Sequence, residues 1–146
     1  MYLFTYGTLQ SGESRGEILP AFGCRYKGVA KILGMKLYHY PFGDFPIVFT
    51  TGNENDEVVG EVYFIKDERF VETGLESVLD QIEGTGIMYE VSNKDAIMLE
   101  TGEVYNVSVY EGIAGFWKYG KNRFIKNDYG CVNVTKMGQW KSYKYE

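Results

Sequence analysis

Apolar residues recur at two spacings along this chain, and the two spacings predict different elements. Over residues 70–83 the side chains Phe70, Val71, Leu75, Val78, Leu79 and Ile82 fall on one stripe at a 3.6-residue period, which predicts an amphipathic helix. Gly84 follows as a natural C-terminal cap. Elsewhere the pattern is that of short strands. Tyr2-Leu3-Phe4-Thr5-Tyr6 is a run of strand formers that stops abruptly at Gly7-Thr8-Leu9. Loose alternation from Cys24 to Tyr40, with Gly28 and Gly34 at bends or bulges, predicts two strands joined near Gly34. Phe45 to Phe49 resumes an extended run after a turn-rich loop beginning at Pro41, and 52–56 is a solvated loop before a buried strand from Val58 to Ile65.

Further strands are expected at Tyr89–Val91, Ala96–Leu99, Val104–Tyr110, Arg123–Lys126 and Cys131–Thr135. Glu100-Thr101-Gly102-Glu103 suits a hairpin connection with its glycine in a left-handed conformation. Glu13 to Pro20 has room for one or two helical turns, ended by Pro20. Strands do not alternate regularly with helices, which argues against a doubly wound parallel sheet. The expected fold class is α+β: a small mixed or antiparallel sheet curled into a β-barrel, with helix 70–83 packed beside it. No repeat or low-complexity tract is visible, and residues 1–146 read as a single domain.

Composition changes this picture in few places. Eighteen glycines and thirteen tyrosines favour strands and turns over a helical bundle. No apolar run approaches the ~20 residues that a membrane span needs. The first residues hold no basic region followed by a long apolar one, so neither a membrane nor secretion is expected. Cys24 and Cys131 make no disulfide framework in a chain of 146 residues; reduced thiols in a cytoplasmic protein are expected. Seven basic residues against two acids over 116–146 give +5 there, leaving −10 over 1–115 of the overall −5. The acidic body disfavours a phosphate backbone. The tail, with Trp117, Tyr119 and Phe124 among Lys118, Lys121 and Arg123, is read as strands turning lysines to water rather than as a nucleic-acid contact.

Candidate chemistry narrows by elimination. One histidine, His39, and two distant cysteines do not build a zinc site of the usual spacing, so no metal is expected. A serine-nucleophile elbow, a phosphate loop and a complete dinucleotide fingerprint are all missing; Gly84-Thr85-Gly86 lacks the third glycine. What remains is carboxylate chemistry. A strand ending in Gly7-Thr8-Leu9 presents backbone N–H groups that no ladder partner occupies, a cradle for an anion or a developing oxyanion. Glu83, four residues after Leu79, stands at the margin of the apolar stripe and in the last helical turn. Partial burial and the helix dipole both disfavour its ionised form there, which raises its pKa toward neutral acid–base work. On the residues alone, Glu83 is either such a group or a solvated glutamate before a cap glycine.

Several of these segments stand in a familiar order. Tyr6-Gly7-Thr8-Leu9 with Gly12, Phe45-Pro46, Gly60-Glu61-Val62-Tyr63, and Leu79-Asp80 with Glu83-Gly84 and Tyr89 resemble the γ-glutamylcyclotransferase-like proteins. That family includes γ-glutamylamine cyclotransferase and small bacterial and plant relatives, and the likeness covers about residues 2–110 in order and spacing. The resemblance implies a small mixed β-barrel with flanking helices and no cofactor. It also implies that Tyr6, Gly7, Thr8 and Leu9 hold the glutamyl part of a small-molecule γ-glutamyl substrate. Glu83 is then the acid–base residue, and Tyr89 helps close the pocket. For Tyr6 and Tyr89 a core-filling role is the alternative reading.

The reaction so implied is cyclisation of a γ-glutamyl amine or peptide to 5-oxoproline, with release of an amine or amino acid. A non-catalytic module binding a small metabolite on the same barrel is the alternative, motivated by departures from the family pattern. Many relatives place arginine where Val91 stands, and asparagine near Ser14-Arg15-Gly16. Ile113-Ala114-Gly115-Phe116-Trp117 matches a glycine–aspartate–tryptophan ending only loosely, and the resemblance does not place the segment from Lys118 onward. The expected assembly is a monomer or a homodimer.

Overall fold

The computed structural model of the chain describes residues 1–40, 45–66, 74–83, 89–113 and 132–133. Its strands are β1 (Tyr2–Thr5), β2 (Arg25–Leu33), β3 (Met35–Tyr40), β4 (Phe45–Thr50), β5 (Glu57–Phe64), β6 (Tyr89–Met98), β7 (Val104–Gly112) and β8 (Val132–Asn133). Two helices among the described residues are α1 (Ile18–Ala21) and α2 (Leu75–Glu83). Five strands form a closed barrel in the order β1-β5-β2-β6-β7, and β4-β3-β8 form a second, three-stranded sheet. The barrel is mixed: β7 returns to β1 in parallel at Leu3↔Ser108, while the other barrel pairings are antiparallel.

Period-two burial explains the closure. Phe4, Val62, Ile32, Met98 and Val109, from five different strands, meet in one apolar cluster. The intervening residues Leu3, Tyr63 and Tyr110 belong to a second cluster, with Leu19 of α1 and Leu75 and Leu79 of α2. Barrel strands buried on both faces read as continuous apolar runs, as Val58–Ile65 does. The helices therefore sit where the barrel wall has a second apolar face to cover.

Several expectations hold. Gly28, with φ +135°, marks a bulge where β2 shifts register against β5. Gly34, with φ +78°, separates β2 from β3 and sends them to different sheets. At the β6–β7 hairpin, Gly102 has φ +75° and donates its N–H to the Met98 carbonyl at 2.8 Å.

Other expectations need correction. Pro20 does not end its helix but lies inside α1. There it occupies the first turn, whose N–H groups have no helical acceptor to lose. Gly74, with φ +78°, is not helical, and its carbonyl accepts the Val78 N–H at 3.1 Å; α2 starts at Leu75 rather than running on from residue 70. Phe70, Val71 and the cap Gly84 lie outside the described residues. The strands expected at Tyr89–Val91 and Ala96–Leu99 are one strand, paired with β7 throughout. Of the expected strand Cys131–Thr135 the described part is Val132–Asn133, paired with β3. Arg123–Lys126 and the tail aromatics lie outside the described residues.

Candidate functional site

β1 delivers the chain to a tight turn directly after Thr5. A Cβ on Gly7 would stand 2.7 Å from Pro46 Cγ and 3.2 Å from Pro46 Cδ, so only glycine lets the turn lie against β4. The turn is fixed through its carbonyls. Gly7 O accepts the Gln10 N–H at 3.0 Å, and Thr8 O accepts the Arg15 N–H at 2.8 Å. The N–H groups of Gly7, Thr8 and Leu9 are donors in none of the hydrogen bonds among the described residues. Three consecutive uncommitted amides form the kind of concavity that holds an anion.

Two tyrosines meet the same region. Tyr6 donates its hydroxyl to the Tyr110 carbonyl at 2.5 Å, and Tyr89 donates to the Pro46 carbonyl at 3.3 Å. Pro46 thus touches both Gly7 and Tyr89, residues 82 positions apart in sequence. Tyr6 and Tyr89 are both buried, at 7% and 4% exposure.

Helix α2 reaches this end of the barrel. Leu75 and Leu79 share an apolar cluster with Leu9 and Tyr89. Tyr110, whose carbonyl holds Tyr6, donates its hydroxyl to Asp80 Oδ1 at 3.3 Å. The segments Tyr6–Leu9, Leu75–Asp80 and Tyr89 are therefore joined through Pro46 and Tyr110. Glu83 is the last residue of α2; its side chain lies outside the described part. His39 lies on β3, and its side chain is likewise outside the described part.

A second carboxylate was legible only as part of a motif. Glu61, on β5, is 4% exposed, and its two carboxylate oxygens accept the Ser11 N–H and the Ser11 hydroxyl, each at 2.7 Å. A charged residue inside the apolar run Val58–Ile65 is the sequence signal that marks it. Tyr110 carried no comparable signal, since nothing in its local sequence shows that its carbonyl accepts from Tyr6. Burial, reinforced by the nearby Glu61 carboxylate, pushes the Tyr63 hydroxyl up to about 12. Burial also raises the pKa of the Cys24 thiol, a free cysteine. Cys131 lies outside the described residues. Among the described residues no group of three or more His, Cys, Asp or Glu is placed to hold a metal ion, and no helix is long and apolar enough to cross a membrane.

A closed five-stranded mixed barrel, with a bare-amide turn after its first strand and a short helix beside it, defines a recognisable class of small barrels. The chain belongs to the family described as Gamma-glutamyl cyclotransferase, AIG2-like, whose pattern matches residues 3–140. Solved structures agree on the fold. An uncharacterized protein from Pyrococcus horikoshii superposes with a TM-score of 0.64 at 19% identity, covering 99% of this chain and 93% of that one. An AIG2-like protein from Mus musculus gives 0.62 at 20% identity, covering 75% of each chain. A protein named gamma-glutamyl cyclotransferase gives 0.56 at 20% identity, over 77% of this chain and 66% of that one. No curated protein matches the sequence.

Proposed function

We propose that this protein is a γ-glutamylcyclotransferase-like enzyme that closes a γ-glutamyl amine or peptide into 5-oxoproline, with Glu83 as its acid–base residue. The observation that carries this reading is the run of three uncommitted amides at Gly7, Thr8 and Leu9, joined through Pro46 and Tyr110 to Tyr89 and helix α2. Family membership supports cyclotransferase chemistry in general.

Substrate and nucleophile are one molecule in this reaction. The α-amine nitrogen attacks the γ-carbonyl carbon, a ring C–N bond forms, and the C–N bond to the departing amine breaks. Glu83 takes a proton from the attacking nitrogen and returns one to the leaving nitrogen, so the enzyme ends as it began. The N–H groups of the turn bind the α-carboxylate or stabilise the oxyanion. Tyr6 and Tyr89 wall the glutamyl part. Holding one reactive conformer supplies much of the rate, because ring closure is already intramolecular.

The test replaces Glu83 with glutamine and follows 5-oxoproline released from γ-glutamyl amines. Glu83→Gln keeps size and hydrogen bonding but removes proton transfer, so turnover falls roughly 10²–10⁴-fold. Unchanged turnover overturns the mechanism. A parent protein that gains thermal stability from γ-glutamyl compounds yet forms no 5-oxoproline is a binding module instead.

A further inference from the structure

Burying a carboxylate costs several kcal/mol unless its oxygens are satisfied, so the position of Glu61 needs a reason. Its strand supplies part of it. A Cβ at the preceding residue, Gly60, would overlap the Thr5 carbonyl oxygen and stand 2.8 Å from the Phe4 ring. Gly60 thus lets β1 lie tight against β5, where Thr5 pairs with Glu61 itself. The chain leaving β1 then turns through Gly7–Leu9 and comes back to the same place on β5 at Ser11. Both Ser11 donors, the backbone N–H and the hydroxyl, close on the two oxygens of Glu61. Bonds this short to a carboxylate are among the stronger kinds in proteins. The turn is pinned at one end by the β1–β5 ladder and at the other by Glu61.

We propose that Glu61 is a positioning residue for the turn: by clamping Ser11 it sets where the Gly7, Thr8 and Leu9 amides stand when a γ-glutamyl group arrives. The inference rests on the reading of that turn as the glutamyl-binding element. Glu61 touches no reacting atom and acts through Ser11. Its loss lets the amides drift, which weakens substrate capture more than it slows the proton transfers at Glu83.

Three variants of the full chain test this. Glu61→Met keeps the length of the side chain but takes away the carboxylate that accepts from both Ser11 donors. Glu61→Gln restores the pair, since its amide oxygen accepts from the Ser11 N–H and its amide nitrogen donates to the Ser11 hydroxyl. Ser11→Ala, at an exposed position, removes only the hydroxyl half and spares the fold. Amide exchange at Gln10, Ser11 and Arg15 reports the turn directly. It speeds up about tenfold in Glu61→Met relative to β2 and β5, less in Ser11→Ala, and returns toward the parent in Glu61→Gln. With a γ-glutamyl amine as substrate, KM in Glu61→Met rises about tenfold while kcat stays within about threefold, and Glu61→Gln recovers most of the loss.

Exchange at those amides that is unchanged, or that quickens equally throughout the barrel, overturns the proposal, as does an unchanged KM. If Glu61→Met does not fold, Ser11→Ala decides by the same two measurements. A parent that forms no 5-oxoproline defeats the enzymatic reading, while exchange still decides whether Glu61 holds the turn.

Discussion

A methyl group added at Gly60 and one added at Gly7 meet different obstacles, and the difference predicts different phenotypes. At Gly60 it would overlap a carbonyl oxygen of the β1–β5 ladder, which cannot yield without breaking the barrel wall. Gly60→Ala should cost about 3 kcal/mol or more in urea unfolding. At Gly7 the obstacle is the ring of Pro46, 2.7 Å away, at the edge of the turn. Gly7→Ala should cost about 1–2 kcal/mol but reduce kcat/KM at least tenfold, because the amides move away from the site they form. Equal damage to stability and activity in the two variants would refute the distinction. Tyr63 gives a pH-dependent prediction at the same scale. Its hydroxyl is raised from an ordinary value of 10 to about 12, so the folded state holds this proton more tightly than the unfolded chain. That contribution is complete below pH 10 and is lost as pH rises toward 12. Unfolding measured across that window should show the parent losing stability relative to Tyr63→Phe, with a constant difference below it. A constant difference throughout would mean the hydroxyl is not buried in solution. Among the residues of the candidate site, Gly7 was legible because a strand run stops there. Glu61 was visible only within the Gly60–Tyr63 motif and without its role, since its partner Ser11 lies 50 residues earlier.

Among the described residues, two buried leucines and one polar contact hold helix α2 to the barrel. Leu75 and Leu79 are 1% and 0% exposed, and Asp80 accepts the Tyr110 hydroxyl. Leu79→Ala should cost about 2–4 kcal/mol, since a cavity there has rigid strands on one side. As Glu83 follows Leu79 by one turn of the same helix, 5-oxoproline formation should fall with it. A loss below about 1 kcal/mol by urea unfolding would show the helix docked elsewhere. Tyr110→Phe removes the bond to Asp80, keeps the carbonyl that holds Tyr6, and should cost about 1 kcal/mol. At this scale the sequence is a good guide where one period dominates, as in the helical stripe and the hairpin around Gly102. It misleads where a strand changes what it faces. Ser92-Asn93-Lys94-Asp95 reads as a loop because it is polar. Yet its backbone continues the ladder, Ser92 opposite Val109 and Asp95 opposite Asn106, with Asn93 and Asp95 turned to water. Ser92 and Lys94 reach the Glu111 carboxylate, which also accepts from Thr50 of β4, so the polar stretch ties β6 to the second sheet.

A barrel was expected from the sequence, but the pairing that closes it was not legible, because a parallel return of β7 to β1 leaves no mark in local pattern. Hairpins announce themselves through turn residues, whereas this pairing joins positions 105 apart, Leu3 and Ser108. It is also the thinnest junction of the wall. β5 is paired along its length by β2 and over Glu61–Phe64 by β1, while β1 meets β7 at a single register position. Local opening follows the fewest bonds, so the seam should open before the sheet melts. Amide exchange should find β5 protected up to the global unfolding free energy and the amides at the β1–β7 seam at least tenfold less protected. The consequence is functional, since β1 runs straight into the Gly7–Leu9 turn. A ligand seated on those amides binds only while the seam is closed and should slow exchange along β1 more than along β5. 5-Oxoproline, the product of the proposed reaction, is the probe: added in excess, it should narrow the gap between the two strands. Uniform protection of all five strands, or a ligand effect spread evenly over them, would place the weakest point of the barrel away from its candidate site.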